Sequence, residues 1–152
     1  MPTEKLWSRD SFRRAARRHY MNCQYIFRLI PSINDANYRN HVVSDCYYIG
    51  GYVMECALKY YVMNKSHLTR CYNKSELDYQ KLLTHDLHKL VMMATEGSET
   101  LNVEWQQLSV LTKGWSEEVR YNSSLSNSET EAVVGPFKND VEKIFVTVFN
   151  EY

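Results

Sequence analysis

The chain has 152 residues, which suits one domain around one hydrophobic core. Apolar residues make up 44% and charged residues 24%, a balance that excludes a disordered chain and points to a globular protein. The longest uncharged apolar run covers only residues 46–54, far short of the roughly 20 residues that cross a bilayer, so no membrane association is expected.

Proline and glycine are scarce, with 3 and 5 copies, which argues for long helices rather than many tight turns. Residues 8–30 read as the first helix: Phe12, Ala15, Ala16, Tyr20, Cys23, Phe27 and Ile30 recur at threes and fours, and Pro31 stops it. Residues 35–64 read as a second long helix starting at Asn34 or Asp35, with Val42, Val43, Cys46, Ile49, Gly50, Val53, Ala57, Tyr60 and Tyr61 on its buried face. Its middle is apolar nearly all round, so it belongs at the centre of a bundle. Residues 64–83 are polar and broken, a connection with a short helix near "SELDYQKLL". Thr84 then reads as the N-cap of "HDLHKLVMMA", with Asp86 favouring the helix dipole in the first turn and Gly97 ending the helix. Residues 101–112 follow as an amphipathic segment with Leu101, Trp105, Leu108 and Leu111. "SEEVRY" offers one or two helical turns in a loop-rich passage. Ser128 and Glu131 fit the capping box of a last helix over 129–150, in which Pro136 either kinks the helix or marks its true first turn. No stretch alternates with period two. The fold class expected is all-α, a single domain over 1–152 built as an antiparallel bundle of four to five helices.

The zero net charge hides two ends of opposite sign. Residues 1–30 hold seven cations against two acids, a net of +5, and residues 91–152 hold four cations against ten acids, a net of −6. Cys23, Cys46, Cys56 and Cys71 form no CxxC pair and no tight Cys/His cluster, so neither a metal nor another cofactor is expected. They read as reduced, buried thiols of a cytoplasmic protein, and "MPTEKLWSRDSFRRAARR" has no apolar signal segment.

The stretch "CYYIGGYVMECALKYY", residues 46–61, carries the chain's strongest local oddity. Gly51, Glu55 and Lys59 lie four apart and share one stripe of the second helix. A glycine inside a helix costs about 0.5–1 kcal/mol, so a neighbouring helix or a partner subunit is expected to come close there. An exposed Glu–Lys pair four apart contributes only about 0.2–0.5 kcal/mol, too little to explain two charges inside an apolar run. Two readings follow: a partly wet edge where the pair meets other bundle residues, or a polar seam lining a groove or a dimer contact.

These residues resemble a known family. "YYIGGYVMECALKYY" looks like the signature second helix of HEPN domains (higher eukaryote and prokaryote nucleotide-binding). "THDLHKL" at 84–90 resembles the family's Thr-His-Asp-Leu helix start, and "WSEEVRY" at 115–121 its Arg-Tyr segment before the last helix. The likeness covers residues 10–150. It implies a compact HEPN-like helical bundle that forms a homodimer and works on RNA or nucleotides, often in bacterial toxin–antitoxin or phage-defence systems. It also implies a partner protein such as a nucleotidyltransferase or another defence component. Many members are ribonucleases with an R-x4-6-H motif near the start of the last core helix, where the arginine holds a phosphate and the histidine moves a proton. This chain departs from that pattern: Arg120 stands where the arginine belongs, but Leu125, Ser126 and Asn127 follow at the histidine's positions. A textual match, Arg14-x4-His19 (also Arg13-x5-His19), lies on the first helix instead.

Three functional readings result. The first is a HEPN-like binding or regulatory module without ribonuclease activity, with Glu55, Lys59, Arg120, Tyr121, Arg13, Arg14 and Arg17 as binding candidates. The second is an active, metal-independent endoribonuclease toxin using Arg120 with a displaced histidine, His85 or His19. The third is a structural interaction domain whose basic helix meets an acidic partner. Arg9, Arg13 and Arg17 share one stripe, which reads either as a solvated face or as a surface for RNA; no aromatic residues interleave with them as a stacking platform. His85 beside Thr84, and Tyr121 beside Arg120, have packing roles as their competing readings, and His85 with His88 makes no metal site without nearby carboxylates.

Overall fold

The computed structural model describes residues 8–67, 82, 84–108 and 127–150. Every regular element among them is helical, and together they form an all-α bundle. Helix α1 spans Arg9–Leu29 and opens on a capping box: the Ser8 hydroxyl accepts from the Ser11 backbone N–H at 3.1 Å, and Ser11 reaches back to the Ser8 N–H. Phe12, Ala16, Tyr20, Cys23 and Phe27 form its buried face, and Pro31 turns the chain through a 3-10 turn at Ile30–Ser32. Helix α2, Ala36–Lys65, is capped by Asp35, whose carboxylate accepts from the Tyr38 N–H at 2.7 Å. Helix α3 spans Leu87–Thr95, α4 spans Glu99–Gln106 and α5 spans Asn127–Phe149. Gly97 separates α3 from α4 with φ +84, a dihedral that a side chain disfavours.

Three helix starts and ends differ from the expectation. Asp86, not Thr84, caps α3: its carboxylate accepts from the Lys89 N–H at 3.2 Å, three residues on, while Thr84 Oγ1 accepts from the Asp86 N–H in a turn that precedes the helix. Helix α4 begins at Glu99 and ends at Gln106, short of residue 112. Helix α5 begins at Asn127, so Ser128 is already inside it and cannot cap it, because an N-cap has non-helical dihedrals. Pro136 sits well inside α5 and marks no first turn. The short helix expected near "SELDYQKLL" and the turns expected at "SEEVRY" lie outside the described residues, apart from the buried Leu82.

Helix α2 is the hub, packed by α1, α3 and α5. Val43, Cys46, Gly50, Val53 and Ala57 are buried as expected, and Ile49 and Tyr60 are half-buried. A second set, Met54, Leu58, Val62 and Met63, is buried as well, which is why the helix reads as apolar all round. Each fully buried side chain of this size contributes about 1.5–3 kcal/mol. Helix α1 runs antiparallel to α2, with Arg9 meeting Asn64 at one end and Cys23 meeting Cys46 nearer the other. It also runs antiparallel to α5, through Tyr20 stacked on Phe145 at 3.9 Å and Phe27 edge-on to Phe137. Gly50 lies where α5 crosses: a Cβ there would stand 2.5 Å from the Phe137 ring and 3.2 Å from Val141. At Gly50 the close approach is made by side chains of a neighbouring helix of the same chain, not by another backbone. No helix among the described residues is long and apolar enough to cross a membrane.

Candidate functional site

Glu55 and Lys59 are not on a wet edge. Both side chains are 4% exposed, and Lys59 Nζ donates to Glu55 Oε1 at 2.8 Å. Their spacing puts them on one stripe of α2, and that stripe is covered: the Phe12 ring of α1 lies 5.6 Å below the Lys59 ammonium, and the segment entering α3 brings His85 to the carboxylate. His85 Nδ1 stands 2.8 Å from the same Glu55 Oε1. Oε2 of Glu55 is buried and accepts no hydrogen bond among the described residues. Burying two charges removes several kcal/mol of hydration per ion, and attraction at this distance returns that only with good geometry and further donors. Here both donors converge on one oxygen, which leaves the other oxygen of the carboxylate without a donor among the described residues.

His85 links this buried pair to the surface. Its side chain is 49% exposed, and its backbone is held between the Thr84 turn and the Asp86 cap. An ionised carboxylate cannot donate, so the shared proton sits on Nδ1 and the ring is oriented by Glu55. In the neutral ring this leaves Nε2 as the proton acceptor, on a half-exposed side chain.

Around His85 lies a face built from α1, α2 and the segment entering α3. The Tyr52 ring is flanked by His85, edge-on at 6.2 Å between centroids, and by His19 of α1 at 6.3 Å. Tyr48, one turn earlier on α2, meets Tyr52 edge-on at 5.0 Å. Tyr48, Tyr52 and His19 are each partly accessible. Burial lowers the His19 pKa from 6.5, and the positive charge of Arg18 lowers it further. The thiol of Cys56, on the same side of α2, is pushed up to about 12 by burial and then by the Glu55 charge, against the opposing pull of Lys59 and Arg18. Arg18 is exposed and makes no ion pair among the described residues.

Helix α1 is continuous through Arg9, Arg13 and Arg17 and keeps them on one stripe. Arg9 donates to the exposed Asn64 of α2 at 3.2 Å, and Arg17 lies over the Phe149 ring of α5 at 5.9 Å, so two members of the 9, 13, 17 stripe contact neighbouring helices. Arg13 is half-buried, and Arg14 is held by Asp10 at 2.7 Å. Of the binding candidates, Glu55 and Lys59 come together with His85, and Arg13, Arg14 and Arg17 lie on α1. Arg120 and Tyr121 lie outside the described residues. The sequence reading set Arg18 beside the basic stripe but passed over Tyr48 and Tyr52; the signal available was that Tyr48, Tyr52, Glu55, Cys56 and Lys59 recur along one side of α2. Cys23 and Cys46 are buried free thiols. No group of three or more His, Cys, Asp or Glu side chains converges among the described residues in a way that could hold a metal ion.

Compared with protein-family models, with curated proteins and with solved structures, the chain finds no match.

Proposed function

We propose that the chain is a HEPN-like module that works as a homodimer, binds RNA or a nucleotide, and serves a bacterial toxin–antitoxin or phage-defence system as a binding or regulatory component. One observation supports this reading above others. Two segments that resemble the family far apart in sequence, "GGYVMECALKYY" and "THDLHKL", touch through Glu55 and His85 at 2.8 Å. A costly buried charge pair tied to a half-exposed histidine is poor value for stability alone, since an apolar replacement of equal volume is often neutral or better.

The test is direct. Purified protein is titrated with labelled RNA and with nucleotides, its mass is measured by light scattering at micromolar concentration, and its expression is checked for growth arrest. Binding by a dimer supports the module; a strictly monomeric species without affinity for either ligand class removes it.

The Glu55–His85 pair also favours a second reading, an endoribonuclease. Nε2 of His85 would take the proton of a ribose 2′-hydroxyl, the 2′-oxygen would attack the adjacent phosphorus, and the 5′-oxygen would leave with a proton, giving a 2′,3′-cyclic phosphate. Metal-independent cleavage by wild type, lost in His85→Ala, would rank this reading first. Under the binding reading, wild type cleaves nothing and Arg120→Ala weakens binding.

A further inference from the structure

We infer that the face built by Arg18, His19, Tyr48, Tyr52 and His85 is a binding surface for single-stranded RNA, with bases stacked on the tyrosines and a backbone phosphate held by Arg18. This rests on the RNA- or nucleotide-linked reading above and names its ligand and its place.

The sequence offers no stacking platform interleaved with the arginines of α1, but the fold brings aromatic rings of α2 beside that helix. The α1–α2 packing sets His19 beside Tyr52, and Tyr48 and His85 stand at 5.0 and 6.2 Å from the same ring. Tyr52 is therefore met by rings from three segments, Tyr48 and His85 edge-on and His19 tilted, and the exposed Arg18 directly precedes His19 on α1. Stacking on aromatic faces beside a cation is how sequence-tolerant single-strand binders hold successive bases. A duplex keeps its bases stacked internally and offers none to these rings. A cluster with three ring centroids 5.0–6.3 Å from that of Tyr52 is broader than one base, and the chain has no glycine-rich phosphate loop, so a strand suits the face better than a mononucleotide. One cation at the rim is too few for an acidic peptide but enough for a phosphate between stacked bases. Glu55 contributes from below by fixing the plane of His85 without reaching the surface.

The experiment uses the full chain and fluorescence anisotropy with labelled 12-nucleotide oligo(U) and oligo(A), as RNA and as DNA, with adenosine mononucleotides as competitors. Tyr48→Ala, Tyr52→Leu and Arg18→Ala are compared with Arg28→Ala, an exposed change in the last turn of α1, and circular dichroism checks that each variant folds. Tyr48→Ala should weaken RNA binding about tenfold or more, the usual effect of removing one stacking ring. Arg18→Ala should also weaken it and reduce the salt slope by about 0.7, the loss of one phosphate contact on a single strand. Arg28→Ala should bind as wild type does. If RNA binds and folded Tyr48→Ala and Arg18→Ala bind it equally well, the face is wrong and the RNA-linked module survives. If neither RNA nor nucleotide binds, both fall. DNA binding as tight as RNA, or displacement of the strand by a stoichiometric mononucleotide, overturns the ligand assigned here.

Discussion

Replacing Lys59 by methionine tests whether the charge cluster is buried as a unit. Methionine keeps most of the apolar stem and removes only the ammonium. In the structure that ammonium is one of two donors to Glu55 Oε1, and Oε2 has none among the described residues. Its loss leaves a carboxylate that is 4% exposed with one donor, supplied by a half-exposed ring. Breaking a buried pair by removing one partner costs about 3–5 kcal/mol, against about 0.2–0.5 kcal/mol for a pair of the same spacing on a helix surface. The two pictures differ tenfold, well beyond the error of an unfolding curve. For a chain of this length the buried case corresponds to a fall in Tm of about 6–20 °C. Thermal and urea unfolding of wild type, Lys59→Met, Glu55→Leu and the double variant complete a cycle. The double variant should be more stable than Lys59→Met, because it removes the stranded charge and leaves His85 to be solvated. A Lys59→Met protein within about 1 kcal/mol of wild type, or a double variant whose loss is the sum of the singles, would refute the buried, coupled pair.

Gly50→Leu should lower stability by about 1–3 kcal/mol in urea unfolding, because even its Cβ would enter the Phe137 ring, and an unchanged midpoint would show that α5 does not cross there. His19 has a folded pKa below its unfolded 6.5, so the native state binds fewer protons; its contribution is complete above pH 6.5 and is lost as pH falls toward and through the lowered value. Urea midpoints at pH 7.5 and 5.0 should therefore differ less in His19→Gln than in wild type. The Cys56 thiol, pushed up to about 12 from an ordinary 9.0, should hold about a thousandfold less thiolate than a free cysteine at pH 8 and alkylate correspondingly slowly in the native state. Rapid labelling of Cys56 in folded protein, read by mass spectrometry, would show that the Glu55 side of α2 is open.

Local interactions make much of the architecture legible in the sequence. Pro31 ends α1, Asp35 starts α2 and Gly97 divides α3 from α4, because each acts on backbone groups within a few residues. The periodicity of Phe12, Ala16, Tyr20, Cys23 and Phe27 likewise marks one face of one helix. Where two residues of the same chemistry compete, as Thr84 and Asp86 do for the α3 cap, local rules do not choose, since either side chain can serve an N–H two or three residues on. The stripe of Gly51, Glu55 and Lys59 was equally legible, but whether it is wet or dry depends on Phe12 from α1 and on His85, 30 residues beyond Glu55. The same holds for Gly50 against Phe137, for Arg17 turning onto Phe149 while Arg18 stays exposed, and for Tyr52 set between two histidines. Helical periodicity sets the direction of a side chain relative to its own axis. What lies in that direction is decided by how whole helices pack, and the free energy of a charge or a glycine turns on that neighbour.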